Sequence, residues 1–168
     1  KTGTLTLNEM MVSTLYAGGS WFTVDGEGYA KTGAIRSVAG TPAPDFSRLA
    51  LGLVLASDAV VADDGSVIGD PTEAALVVLA AKLGVDAEET RRAYPRLSEV
   101  PFDSDYKFMA TWHRVPFLGE EHLVCLVKGA PDVVLDRTTS VLGADGRLEP
   151  IAEHRDELLR FNTELGSD

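Results

Sequence analysis

Residues 74–81 read AALVVLAA, a run with no polar interruption. Asp70 and Pro71 stand before it, Glu73 lies three residues after Asp70, and Gly84 follows. Aspartate is a favoured helix N-cap, proline is tolerated in the first turn, a glutamate three residues on completes a capping box, and glycine closes a helix end. The spacing predicts one helix. Because its body is apolar all round, it has to be covered on every side, so the chain must build a core around it. At 168 residues there is enough chain for one domain with a real core, and too little for two comfortable ones. Neither this run nor Leu49–Ala56 exceeds about eight residues, whereas a membrane-spanning helix needs roughly 20.

Other elements follow from local pattern. Met11–Tyr16 and Trp21–Val24 are β-type runs separated by Gly18-Gly19, a hairpin signal. Phe46, Leu49, Ala50, Leu53 and Val54 form one helical stripe. Asp86 and Glu89 repeat the capping arrangement for a short helix that must end near Pro95. Three β-type runs come next, Leu97–Phe102, Lys107–Arg114 and His122–Lys128. Pro131 opens a short helix, Asp145-Gly146 marks a tight turn, and a last helix begins near Pro150 with Ile151, Leu158, Leu159, Phe161 and Leu165 along one side. Strands and helices cluster without βαβ alternation, which predicts an α+β fold with an antiparallel sheet.

Charge and composition exclude several functions. The formal net charge of −11 argues against a nucleic-acid surface, which needs a basic face. One cysteine, Cys125, rules out an internal disulfide and points to a reducing compartment. His113, His122 and His154 are scattered without metal-ligand spacing and read as surface residues. No secretory signal opens the chain, no Gly-x-Ser-x-Gly elbow occurs, and Gly26–Thr32 ends like a P-loop but has Ala30 where that loop requires glycine before its lysine. It reads as a glycine-rich hairpin.

Four separated segments remain: Lys1–Thr6 (KTGTLT), Gly69–Leu76 (GDPTEAAL), Phe102–Met109 (FDSDYKFM) and Lys128–Asp132 (KGAPD). In this order and spacing the chain resembles the P-type ATPases, from the phosphorylation loop through the nucleotide-binding domain, over nearly its whole length. Phe102 with Lys128-Gly129-Ala130-Pro131 is similar to the calcium, sodium/potassium and related bacterial cation pumps, and the His-Pro pair of the heavy-metal pumps does not occur.

The resemblance implies a twisted antiparallel sheet of about six strands flanked by helices. It implies a leader from the phosphorylation domain over residues 1–10 and a C-terminally truncated nucleotide-binding domain over 11–168. The phosphorylated aspartate would directly precede Lys1, and a further arginine would lie beyond Asp168. The implied ligand is ATP with Mg2+, and the implied partners are the phosphorylation and actuator domains of the same parent chain. The fragment itself is expected to be monomeric, to lie on the cytoplasmic side of the plasma membrane, and to bind ATP without turning it over.

By the same resemblance Phe102 stacks on adenine, Glu73 meets the adenine amino group, and Lys107, Met109 and Lys128 belong to the nucleotide pocket, with Thr72, Gly129 and Ala130 beside it. Physical readings compete with some of these roles. Glu73 also sits where a capping box would use it. If the strand begins at Lys107, alternation puts Lys107, Met109, Thr111 and His113 on one face. Gly129 and Ala130 lack bulk, so a ligand can approach the backbone there. Ser104 stands where the calcium pumps carry a phosphate-assisting arginine, and Tyr106 and Phe108 replace commonly basic or polar positions. Two rivals stay open: a degenerate regulatory module that keeps the fold and binds a protein, and a phosphatase fragment of the haloacid-dehalogenase type, which would explain the KTGT opening alone.

Overall fold

A computed structural model describes residues 9–117 and 119–166; the KTGTLT segment lies outside them. The chain opens with β1 (Thr14–Ala17), β2 (Ser20–Val24) and β3 (Ile35–Ser37), an antiparallel sheet in that order. Gly18 and Gly19 turn β1 into β2 at φ of 55° and 76°, a left-handed pair that L side chains adopt poorly. The glycine-rich stretch 26–33 is the β2–β3 connection, and its Lys31 is held by Asp63 at 2.9 Å. It is the predicted hairpin.

The helix expected over the apolar run is α2 (Pro71–Lys82). Asp70 Oδ1 accepts from the amides of Thr72 and Glu73 at 2.8 and 3.1 Å, satisfying two donors that the first helical turn leaves over. Coverage comes from two sides. Ala74, Val77 and Val78 pack with Ala59 and Val61, the latter in β4 (Val60–Val61), which pairs with β5 (Val67–Ile68). Ala80 packs with Ala50 and Val54 of α1 (Ser47–Leu55). Within the expected α1 stripe, Ala50 and Val54 are buried and Leu49 is exposed. The short helix α3 (Ala87–Ala93) starts at Asp86, whose carboxylate accepts from the Glu89 amide at 2.7 Å.

Next come β6 (Ser98–Asp103), β7 (Phe108–Phe117) and β8 (Glu120–Gly129), a second antiparallel sheet in chain order. Met109, Thr111, His113 and Val115 alternate into the interior from β7. The Thr111 hydroxyl donates to the Leu55 carbonyl at 3.4 Å, tying this sheet to the end of α1. After α4 (Pro131–Leu135), β9 (Ser140–Leu142) and β10 (Leu148–Pro150) form a hairpin, and α5 (Arg155–Leu165) lays Phe161 against Tyr16 and Trp21, with ring centroids 4.9 and 5.0 Å apart.

The fold is therefore α+β and antiparallel, as expected. The strands are divided among several ladders, of three, two, three and two strands among the described residues, where one sheet of about six was expected. The helices α1, α2 and α3 with β4 and β5 stand between the two three-stranded ladders in sequence, and no strand of one ladder pairs with a strand of the other. His113 also departs from expectation. It is only 1% exposed, and its Nδ1 lies 2.9 Å from the Tyr94 carbonyl. A carbonyl only accepts, so Nδ1 carries the proton in that bond.

Candidate nucleotide site

Two of the expected residues meet directly. Glu73 projects from the first turn of α2, Lys128 from the end of β8, and their Oε1 and Nζ are 2.5 Å apart. Both side chains are largely covered, 16% and 23% exposed, so the contact is more than a solvated surface pair. Lys128 Nζ also donates to Ser57 Oγ at 3.2 Å. Glu73 Oε2 accepts from the backbone amides of Asp58 and Ala59 at 2.7 and 3.1 Å.

That geometry decides how Glu73 is used. Asp70 caps α2 alone, and the Glu73 carboxylate reaches across to the segment that follows α1, so the capping-box reading is replaced. A carboxylate has about four acceptor positions. Oε2 has both of its positions filled by amides, and Oε1 takes Lys128, which leaves one acceptor position on Oε1 among the described contacts. A site of this kind takes one hydrogen-bond donor.

Lys107, Met109, Gly129 and Ala130 lie at one end of the β7–β8 pair, whereas Phe102 is on β6 and Thr72 on α2. Met109 is paired with Lys128 across the strands, and Phe108 with Gly129. Met109 is 2% exposed, part of the buried face of β7. Lys107 is not in the strand. It ends a turn at φ 57°, its amide donating to the Asp103 carbonyl at 2.7 Å, so the expected alternation of Lys107 with Met109 does not apply. Asp103 builds this turn by accepting the amides of Asp105 and Tyr106 at 2.7 and 3.3 Å.

Gly129 has a structural reason to be glycine: a Cβ there would run into the Lys107 carbonyl oxygen and stand 2.7 Å from Phe108 Cβ. The Ala130 amide donates to the same Lys107 carbonyl at 2.9 Å. These two small residues seat the turn that carries Lys107. Phe102 lies on β6 where the register with β7 shifts, and it is 60% exposed. Thr72 is exposed at the start of α2, and its hydroxyl lies 3.5 Å from Met10 Sδ.

Sequence reasoning missed the segment Ser57–Ala59 and the two arginines that hold it. Arg91 Nη2 donates to the carbonyls of Ser57 and Ala59 at 2.8 and 3.0 Å, and Arg96 Nη2 pairs with Asp58 at 2.7 Å. Burial works to lower the Arg96 pKa, but hydrogen bonds with the Glu99 and Asp58 carboxylates outweigh it and leave the pKa raised. The one local signal was the polar Ser57-Asp58 step ending an apolar helix. A cavity of about 320 Å3 lies behind this segment, lined by Ser57, Asp58, Arg91, Arg96 and His113 among others. Another, of about 400 Å3 between Gly18, Leu142, Gly143 and His154, contains none of the expected residues.

The family model for "P-type ATPase, cytoplasmic domain N" matches residues 45–168, which include Glu73, Lys128 and every element between them. The chain belongs to the family of P-type ATPase N domains. It is 36% identical over 159 residues to probable cation-transporting ATPase F of Mycobacterium tuberculosis, covering 90% of this chain and 17% of that protein. It is 37% identical over 163 residues to cation-transporting ATPase pma1 of Synechocystis, covering 90% and 18%. It is 31% identical over 167 residues to calcium-transporting ATPase 1 of Lactococcus lactis, covering 99% and 17%. This N domain thus spans under a fifth of the length of these relatives. Among the described residues no helix is long and apolar enough to cross a membrane.

Proposed function

We propose that this N domain binds ATP at the Glu73–Lys128 centre and presents its γ-phosphate to an aspartate on the phosphorylation domain of a longer parent chain, in a cycle that drives cation transport across the plasma membrane. The observation that carries the reading is the single acceptor position left on Glu73 Oε1. The exocyclic amino group of adenine donates there, whereas guanine would present an acceptor and be repelled. Phe102 offers an exposed ring, and base–aromatic stacking is worth ~1–3 kcal/mol. Lys128 and Lys107 supply positive charge, and Met109 backs the base. The role in catalysis is positioning, since holding a reactant in place lowers a barrier by about 7–11 kcal/mol at best.

Magnesium fits this arrangement only through the nucleotide. Among the described residues no group of three or more His, Cys, Asp or Glu could hold a metal, and Glu73 is occupied by its lysine and two amides. Mg2+ would be held by the phosphates and by the neighbouring domain, neutralising charge there. One stacked base and one or two lysines in a chain of net charge −11 give roughly −4 to −6 kcal/mol, a Kd between ~1 mM and tens of micromolar.

Calorimetric titration of the chain with ATP, GTP and AMP tests the reading. ATP should bind in that range, GTP several-fold more weakly, and Phe102→Ala should weaken ATP and AMP alike. No heat of binding for ATP at several millimolar, with the fold intact, would favour the rival module that keeps the architecture and binds a protein.

A further inference from the structure

The segment Leu55–Ala59 is held from two opposite sides. On one side Arg91 Nη2 donates to the carbonyls of Val54, Ser57 and Ala59 at 3.4, 2.8 and 3.0 Å, and Arg96 Nη2 donates to the Leu55 carbonyl at 3.3 Å. On the other, Glu73 Oε2 accepts from the amides of Asp58 and Ala59, and Lys128 Nζ donates to the Ser57 hydroxyl oxygen. The two sides are joined by covalent geometry. The Ser57 carbonyl and the Asp58 amide belong to one planar trans peptide unit, so their C=O and N–H point in opposite directions. Fixing the carbonyl on Arg91 aims the amide at Glu73.

We propose that Arg91 is a positioning residue for purine selectivity. By holding the Ser57 carbonyl it presents the Asp58 amide to Glu73 Oε2, and with Oε2 saturated the open acceptor position of Oε1 is kept toward the base. The proposal rests on the nucleotide reading of Glu73. Arg91 itself touches no ligand in this scheme. Arginine suits the task because its donors reach the Ser57 and Ala59 carbonyls of the loop just beyond α1 together.

Two readouts separate positioning from general structure. The first is the scalar coupling through the hydrogen bond between the Asp58 amide nitrogen and the Glu73 side-chain carboxyl carbon, measured by NMR without nucleotide. The second is the ratio of GTP to ATP dissociation constants, with the ATP-to-AMP ratio as an internal control. In Arg91→Met the Asp58 coupling should vanish and the GTP/ATP ratio should fall about fivefold, the worth of one hydrogen bond. The ATP/AMP ratio should not change, because the phosphate contacts are not involved. Equal weakening of ATP and GTP, or a persisting coupling, overturns the proposal. Should Arg91→Met not fold, Arg91→Lys carries the test: coupling and selectivity must persist together or fall together, and either moving alone overturns it. A wild-type chain that shows the coupling but binds no ATP sinks the nucleotide reading and the selectivity claim with it, while the Arg91–Asp58–Glu73 geometry would stand.

Discussion

The candidate site has a floor and a rim, and they are built on opposite principles. On the floor, Glu73 and Lys128 are largely covered, and among the described residues the amides of Asp58 and Ala59 and the Lys128 ammonium fill all but one of the carboxylate's acceptor positions. At the rim, Phe102 and Tyr106 are 60% and 65% exposed, and Lys107 sits in a strained left-handed turn. A floor of this kind discriminates, because a wrong ligand leaves a buried polar group unpaired. In a rim of this kind the exposed rings add affinity without holding the fold together, and the left-handed Lys107 turn is its one backbone cost. Mutations in the floor should therefore change stability and binding together, and mutations in the rim should separate them.

Lys128→Met gives the sharpest test on the floor. It leaves the Glu73 carboxylate half-buried without its cation and should cost about 2–3 kcal/mol, somewhat under the ~3–5 of a fully buried broken pair. Urea unfolding should show that loss, and ATP binding should disappear with it. Near-neutral stability in this variant would break the distinction. Gly129→Ala should lower stability by ~1–3 kcal/mol, as overpacking does, since the added methyl meets the Lys107 carbonyl and Phe108. Its thermal midpoint is the measurement.

Phe102→Ala should do the reverse. Stability should move by no more than about 0.5 kcal/mol, the usual range for surface substitutions, while ATP affinity falls by ~1–3 kcal/mol. Lys107→Gly goes further and should stabilise the fold by ~0.5–1 kcal/mol by relieving the left-handed backbone, while weakening ATP. A drop in stability there would show that Lys107 belongs with the floor.

The smallest expected effect concerns Cys125 on the neighbouring strand β8. Cys125 is exposed, and partial desolvation raises its thiol pKa above the ordinary 9.0. The folded pKa exceeds the unfolded one, so its contribution to stability is complete below pH 9 and fades as the pH rises through the folded value. Alkylation by iodoacetamide should correspondingly lag behind that of a free thiol until the pH passes the same point.

How much of this was legible beforehand depended on distance along the chain. The helix α2 could be read because its signals are local: the Asp70 cap, Pro71 and an unbroken apolar body lie within a few residues. The partners of Glu73 could not be read, because Asp58, Ala59 and Lys128 stand 15, 14 and 55 residues away and nothing local distinguishes a reaching carboxylate from a capping one. The division of strands into separate ladders was hidden for the same reason, since each run looks equally able to pair with any other. Lys107 was misplaced by one residue of register, where Asp103 starts a turn that the β-type run of Lys107–Arg114 disguises. His113 shows the same limit, because a buried histidine bonded to a carbonyl is indistinguishable in sequence from an exposed one.

Amide-resolved NMR titration of the chain with ATP and with GTP tests the central claim most directly. The account predicts saturable ATP-dependent shifts clustered on Asp58, Ala59, Phe102, Lys107, Met109 and Lys128, with GTP producing them only at several-fold higher concentration. Shifts confined to other surfaces, or equal responses to the two purines at the Asp58 and Ala59 amides, would contradict it.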